Sequence, residues 1–313
     1  MDIFTVLSGV VASAFLAGGV LALAGLGETI SQRSGVFNLG IEGFMAIGGI
    51  TAIATVLATG SLFAAVLAAA ASGAAMGLFF AATIILWRVN QVVSGLAFAF
   101  LGTGLAAWIG TAYAGKPAEV SFEKFPIPGL SDIPFLGNAL FNHPLPVYVT
   151  FFILPFVLNY VLFHTRFGLS ILAVGENPNA ADATGISVVP LRMACVVFGC
   201  TMAALSGAYL TLVFVPSWSE GITAGRGWIA IAMVIFAAYR PIRVTVSAFM
   251  FGLIVAVGFS AQTWGWNVPS AFLSALPYLV TLAFMVFPVW VKITGYRNAR
   301  PEGLGVPFFS DTR

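Results

Sequence analysis

Apolar runs of about 20 residues recur along almost the whole chain, and they constrain the fold more than any other feature. A transmembrane helix needs about 20 consecutive apolar residues to cross the hydrocarbon core. Of the 313 residues, 60% are hydrophobic and 8% are charged, whereas soluble domains carry about 25% charged residues. The chain is therefore predicted to be an all-α polytopic membrane protein, embedded in the lipid bilayer.

About nine spans are expected, each a mainly apolar segment bounded by polar or turn-forming residues. They cover residues 4–27, 37–58, 62–86, 91–113, 146–163, 191–215, 227–239, 244–263 and 271–291. The seventh span is short, and we expect it to continue into its flanks.

The Lys and Arg residues predict the orientation, because cytoplasmic loops carry an excess of them. With the N-terminus outside, ten of the 13 basic residues face the cytoplasm and the other three lie outside. The ten are Arg33, Arg88, Arg166, Arg192, Arg240, Arg243, Lys292, Arg297, Arg300 and Arg313, and the three are Lys116, Lys124 and Arg226. The C-terminus is then cytoplasmic.

The sequence lacks the motifs that are typical of several other classes of protein. The chain has no phosphate-binding Gly-x-x-x-x-Gly-Lys-Ser/Thr loop, so any ATP must be hydrolysed by partner subunits. Cys195 and Cys200 lie five apart on one predicted helix and point to different sides, so neither a disulfide nor a metal site is expected. His143 and His164 lack catalytic partners at a usable spacing and are expected to be solvated. We predict no enzyme activity, cofactor, metal or nucleic-acid partner.

Residues 164–192 form the longest polar interruption with helical character. Gly175 is expected to end one short helix, and Glu176 follows it in the loop. Asn177 is a suitable N-cap for a second helix with Pro178 at its first position. That helix contains Ala181 and Asp182, and Gly185 terminates it. From the residues alone, an ordinary cytoplasmic loop remains an alternative reading.

Two further stretches interrupt the regular pattern of spans. In residues 28–43, Asn38 and Glu42 are four apart and would share one helical face. In residues 216–228, Arg226 and Trp228 open the short seventh span. Polar groups at membrane depth usually face a cavity or a partner, so these four residues are candidates for lining a substrate pathway. Asn38 and Glu42 could instead only hold helices together, and Trp228 could be a membrane-interface anchor.

These two stretches occupy corresponding positions in two halves of the chain whose first spans would cross the membrane in opposite directions. This arrangement predicts inverted repeats within one transmembrane domain, residues 1–313. Repeat one covers about 4–113 and repeat two about 191–291. Between them lie a Pro-rich external loop at 114–145, which either docks a binding protein or caps helix ends, and the cytoplasmic loop at 164–192. We expect the tail, 292–313, to be loosely ordered.

Three motifs resemble one family. GENPNAADATGI resembles the coupling-helix loop of ABC-importer permeases of the branched-chain amino acid, simple sugar and nucleoside group. GETISQRSGVFNLGIEGFMAIGG and GRGWIAIAMVIF resemble segments of the shorter, nucleoside-type permease subunits in that group. The match runs in order from about residue 20 to 300, with Gln32 where an acid is common.

The resemblance implies the type II ABC-importer permease architecture in a bacterial inner membrane. It also implies ATP-binding cassette subunits docked on the 164–192 loop, an external substrate-binding protein, and a second permease subunit in a heterodimer. Nucleosides are the expected cargo. Simple sugars or flavin- and vitamin-like compounds are alternatives, and an ion-gradient-driven secondary transporter is the rival from another class.

Overall fold

The structure, a computed structural model, describes residues 3–265, 268–290 and 300–309. In these residues, seven helices are long and apolar enough to cross a membrane. They are Phe4–Arg33, Ile41–Thr59, Leu62–Leu86, Gln91–Gly110, Leu145–His164, Val188–Phe214 and Pro241–Thr263. The prediction of an all-α polytopic membrane protein is confirmed.

The helix bounds follow the predicted spans closely, with the largest difference at the first one. The helices are α1 Ile3–Arg33, α2 Ile41–Thr59, α3 Leu62–Ala81, α4 Gln91–Gly110, α5 Leu136–Leu140, α6 Leu145–Tyr148, α7 Leu154–His164, α8 Arg166–Glu176, α9 Pro178–Ala183, α10 Val188–Tyr209, α11 Arg226–Phe236, α12 Pro241–Thr263 and α13 Ser270–Trp290. Short π-helical turns extend α3 to Leu86, join α6 to α7 and extend α10 to Phe214. The two remaining predicted spans correspond to α11 and α13.

The core is built around α1 and α10, which pack against each other. α1 also packs along α12, and α10 packs along α2 and α3. The four-residue spacing of Gly73 and Gly77 in α3 predicts a face for close helix packing. The structure confirms it, because both glycines are buried where α3 meets α10 around Cys200 and Ala204. The Ser206 hydroxyl adds a polar tie, donating to the Val20 carbonyl at 2.6 Å.

The predicted extension of the seventh span is wrong. α11 contains only 11 residues. Turns precede it, with Gly225 in a left-handed conformation (φ 74°). Ala238 and Tyr239 follow it with φ of 55° each, and consecutive left-handed residues cannot continue a right-handed helix. The segment is therefore a half-length helix between two stretches of non-helical backbone.

The loop at residues 114–145, predicted to be external, contains more order than its composition indicates. β1 (Lys124–Pro126) pairs antiparallel with β2 (Asn142–Pro144), and α5 lies between them. His143, the middle residue of β2, is buried; its ring contacts the Phe15 ring, and its Nε2 lies 2.9 Å from the Ala139 carbonyl. The expectation that His143 is solvated is therefore wrong, whereas His164 is exposed as expected. Burial lowers the pKa of His143 below its usual value, which favours the neutral ring.

The 164–192 loop forms the two predicted short helices. The Asn177 side chain caps α9 by accepting from Ala180 N at 3.0 Å, and Gly185 follows the helix with φ of 89°. Gly175 does not end α8, which continues to Glu176. Gly175 instead lies where a Cβ atom would collide with the Arg33 carbonyl, so its small size allows α8 to pack against the end of α1.

The expectation of a loosely ordered tail is wrong for residues 300–309, while residues 292–299 and 310–313 lie outside the described residues, with Lys292, Arg297 and Arg313 among them. Residues 300–309 fold back on the helices. Leu304 is buried, and Phe308 packs against the apolar cluster of Val174, Ala181 and Val188. The predicted division into two inverted repeats stays a prediction.

Candidate functional site

The break between α1 and α2 is organised by a buried carboxyl group. Glu28 Oε1 accepts from Gln32 Nε2 at 2.7 Å and from the Asn38 backbone N–H at 3.2 Å. Glu28 is 1% exposed and Gln32 is fully buried. Gln32 thus supplies a neutral donor where an acid would repel Glu28, and this explains how the amide is accommodated at that position.

Asn38 does not share a helical face with Glu42, because α2 begins only at Ile41. Asn38 Oδ1 instead accepts from Gly40 N at 2.7 Å and forms the turn that precedes α2. Its Nδ2 lies 3.5 Å from Cys200 Sγ on α10. Both polar atoms of the Asn38 side chain are therefore engaged in holding the break.

Glu42 reaches from the first turn of α2 to the other broken segment. Its Oε1 accepts from Gly225 N and its Oε2 from Gly227 N, each at 2.7 Å. Glu42 is 7% exposed. The first backbone N–H groups of a helix have no partner within the helix, so this carboxylate caps α11 from a distant part of the chain.

Arg33 binds the opposite end of α11. Its Nε donates to the Tyr239 carbonyl at 2.9 Å, and its Nη2 donates to the Ala238 carbonyl at 3.2 Å. These are the carbonyls of the left-handed turn that ends the helix. The guanidinium also lies over the Tyr239 ring, 5.7 Å from its centroid. Arg33 thus fixes the C-terminal turn of α11.

Both ends of α11 are consequently held by the same polar break in the first half. A helix of 11 residues is about 16 Å long, roughly half of the ~30 Å hydrocarbon core. A carboxylate at the N-terminus and a guanidinium beyond the C-terminus both complement the helix dipole. The two broken stretches that the sequence predicted to hold matching places are thus brought into direct contact.

A cavity of about 230 Å³ lies beside the start of α11. Arg226 is one of its lining residues, with Gln262 and Tyr278 as further polar groups among mainly apolar neighbours. Arg226 Nη1 donates to the Ile222 carbonyl at 2.8 Å, which orients the guanidinium. Trp228 is 37% exposed on the same helix. Of the four residues predicted to line a pathway, Arg226 and Trp228 are accessible, whereas Asn38 and Glu42 are buried.

The seven residues predicted for coupling lie together on α8 and α9 and their caps. Glu176, Asn177, Asp182 and Gly185 are exposed, and Pro178 is partly exposed. Gly175 and Ala181 are buried. Ala181 is 4% exposed, so its side chain faces the body of this chain and not an external cleft. The small residues of α9 suit insertion into a cleft on another protein, which predicts that an arginine at Ala181 leaves the membrane fold intact. Because Ala181 is buried, that prediction is wrong, and a large residue there would disturb the fold itself.

Three residues of this region were missed by sequence reasoning. Arg33 and Arg192 were used only to predict the orientation of the chain in the membrane, and Leu304 lies in the tail that was expected to be loosely ordered. Arg192 is 2% exposed, and its Nε donates to the Ser34 carbonyl at 3.1 Å. The positions of the two arginines could have indicated their role, since an arginine inside or directly beside an apolar span needs a partner.

No cluster of three or more His, Cys, Asp and Glu suited to a metal occurs in the described part of the chain.

Comparison with known proteins gives a consistent result. Residues 10–288 match the model of the family described as the branched-chain amino acid transport system / permease component. The guanosine ABC transporter permease protein NupQ of Bacillus subtilis is 33% identical over 328 residues, covering 100% of both chains. The nucleoside ABC transporter permease protein NupC of Lactococcus lactis is 29% identical, covering 90% of this chain and 92% of that protein.

A sugar-related protein and a solved structure extend the comparison. The "Putative glucose ABC transporter permease protein TsgC13" of Haloferax volcanii is 36% identical, covering 91% of this chain and 92% of that protein. The solved structure titled "An inward-facing conformation of a putative metal-chelate type ABC transporter" shares the fold with a TM-score of 0.51 at 18% identity, covering 91% of this chain and 85% of that chain. With its polytopic helical fold and its match over most of its length, this chain belongs to the family of branched-chain amino acid transport system permease components, as an ABC transporter permease.

Proposed function

We propose that this permease imports nucleosides, using ATP hydrolysed by separate cassette subunits. The observation that carries the proposal is the full-length similarity to the guanosine permease NupQ. The site is compatible with a neutral, polar cargo, because a few hydrogen-bonding groups (Arg226, Gln262 and Tyr278) lie in a mainly apolar cavity. Such a lining orients a cargo without binding it so tightly that it is trapped.

Sugar import is the second candidate, and the similarity to TsgC13 favours it. Flavin- or vitamin-like cargo and an ion-gradient mechanism are further alternatives. Only two acids, Glu28 and Glu42, lie in the membrane part of the described chain, and both are engaged in hydrogen bonds. A proton relay usually needs several ionisable groups, so this arrangement favours the ATP-driven mechanism.

The decisive experiment combines binding and flux. The external binding protein expected to serve this permease is titrated with nucleosides and with sugars. Uptake of the bound class is then measured in liposomes that contain both permease subunits and the cassette subunits. We expect nucleoside uptake that requires ATP and stops with a cassette variant unable to hydrolyse it. Nucleoside flux driven by a proton gradient with no cassette subunit would establish the secondary-transporter alternative.

The proposed orientation places the N-terminus outside, in the bacterial inner membrane. The basic residues Arg33, Arg192 and Arg300 lie at the end of the bundle that carries α8 and α9. Lys116 lies near the opposite end, beside the Pro117–Ser217 bridge. We expect Lys116→Cys to react with an impermeant thiol reagent in intact cells, and Glu302→Cys to react only in inverted vesicles. The reverse labelling pattern would refute this topology.

The exposed face of α9 is the proposed docking element for a cassette subunit. Ala183 is exposed and Ala181 is buried on the same short helix, so they form a matched pair. We expect Ala183→Arg to abolish co-purification of the cassette subunit while the permease itself stays folded, because a charge buried unpaired at an interface is strongly unfavourable. Ala181→Arg should instead lower the yield of folded permease. Normal cassette binding and uptake by Ala183→Arg would contradict this role.

A further inference from the structure

Residues 300–309, here called the C-terminal strap, connect three parts of the molecule that are far apart in sequence. Gly303 N donates to the Gly175 carbonyl of α8 at 2.9 Å. Gly305 N donates to the Gly35 carbonyl in the α1–α2 break at 3.0 Å. Arg192 Nη1, near the start of α10, donates to the Val306 carbonyl at 3.2 Å. The strap is thus held by two backbone–backbone hydrogen bonds and by one from the Arg192 side chain.

The strap also has a close steric fit against the short cytoplasmic helices. A Cβ atom at Gly303 would lie 2.8 Å from the Gly175 carbonyl oxygen and 3.3 Å from Pro178 Cδ. The Glu302 backbone N–H lies 3.2 Å from Glu176 Oε2. The Phe309 ring lies under the Arg88 guanidinium, 4.6 Å from ring centroid to Cζ. Contacts of this density indicate a fixed part of the fold.

The contacts form a continuous path from α9 to the half-length helix. From Gly175 the strap leads to Gly35, which is two residues from Arg33. Arg33 binds the carbonyls of Ala238 and Tyr239 that end α11. Hydrogen bonds of the backbone and of the Arg33 side chain thus link α8 to the end of α11, beside the close approach of Gly175 to the Arg33 carbonyl.

We propose that the C-terminal strap is a coupling element that moves as one body with α8 and α9 and transmits their displacement to the break that holds α11. This inference rests on the proposed function, since it assumes that a cassette subunit displaces α9. It predicts that the strap stays docked throughout the transport cycle. A strap that must detach in each cycle would instead be an autoinhibitory segment, which blocks transport until it is released.

The first test uses two truncations that form a matched pair. A chain ending at residue 299 lacks the strap, and a chain ending at residue 309 keeps it. We expect the shorter chain to retain the cassette subunit and its ATP hydrolysis but to lose at least about tenfold in uptake per ATP, while the longer chain behaves as wild type. Gly303→Val, which blocks the approach to Gly175, should reproduce the loss in a full-length chain. Wild-type uptake per ATP in both the chain ending at 299 and Gly303→Val, or loss of the cassette subunit from the chain ending at 299, would overturn the proposal.

The second test is independent of the cargo. The amides of Gly303 and Gly305 are bonded to carbonyls, so they should exchange their hydrogens slowly in the wild-type complex, with and without ATP. Rapid exchange without ATP would show that the strap is not docked, and rapid exchange only with ATP would show that it detaches. Either result overturns the proposal. If neither nucleosides nor sugars are transported by the wild type, the proposed function fails, whereas slow exchange still supports the docked strap.

Discussion

Replacing Glu42 by alanine is expected to abolish transport and to lower the unfolding temperature of the permease. The substitution removes the acceptor for Gly225 N and Gly227 N, both at 2.7 Å. Hydrogen bonds to charged groups contribute about 1.5–3 kcal/mol each, and a buried donor left unpaired adds the cost of its desolvation. The first turn of α11 should therefore unwind, and the cavity beside Arg226 should lose its shape.

Two further variants make this prediction specific. Glu42→Gln keeps one acceptor oxygen, so its unfolding temperature should lie between those of the wild type and Glu42→Ala. We expect it to bind the cassette subunit normally and to be impaired in transport. Glu220→Ala removes an exposed carboxylate from the segment that precedes α11 and should leave the unfolding temperature and the transport rate unchanged. Thermal unfolding in detergent and uptake in liposomes are the measurements, and wild-type values for Glu42→Ala would refute the role of this residue.

Gly207→Val is expected to prevent the permease from folding. A Cβ atom at Gly207 would collide with the Met45 carbonyl oxygen, where α10 and α2 lie in close contact. Backbone oxygen cannot move aside as the end of a side chain can, so the two helices would have to separate. Overpacking a core usually costs about 1–3 kcal/mol and occasionally more. Here the loss should be at the upper end, because α10 also packs against α1 and α3.

The matched control is Gly104→Val on α4. Gly104 is also helical, but it is exposed and nothing lies within 4 Å of a Cβ atom placed there. Both changes add the same apolar side chain to a membrane helix and carry the same loss of backbone freedom. The yield of monodisperse protein in size-exclusion chromatography should fall at least about tenfold for Gly207→Val and stay near wild type for Gly104→Val. Equal yields would show that the α2–α10 contact tolerates separation.

Features that depend only on neighbouring residues could be predicted from the sequence. Apolar runs of membrane length placed the spans, and seven of them reappear as long apolar helices. Asn177 and Pro178 located the start of α9, because an N-cap acts on an N–H only three residues away. Gly73 and Gly77 marked a packing face through their spacing. Each of these signals lies within one or two helical turns, so it can be read without knowing the rest of the fold.

Contacts between distant residues could not be predicted in this way, because they depend on the packing of whole helices. Glu42 binds groups more than 180 residues away, and Arg33 binds carbonyls more than 200 residues away. No local pattern records such a pairing, because it depends on how α1, α2 and α11 pack. The same reason explains the burial of His143 and Ala181 and the docking of residues 300–309. A polar residue has the same hydropathy whether it faces water or a distant partner, and only the packed helices determine which of these it meets.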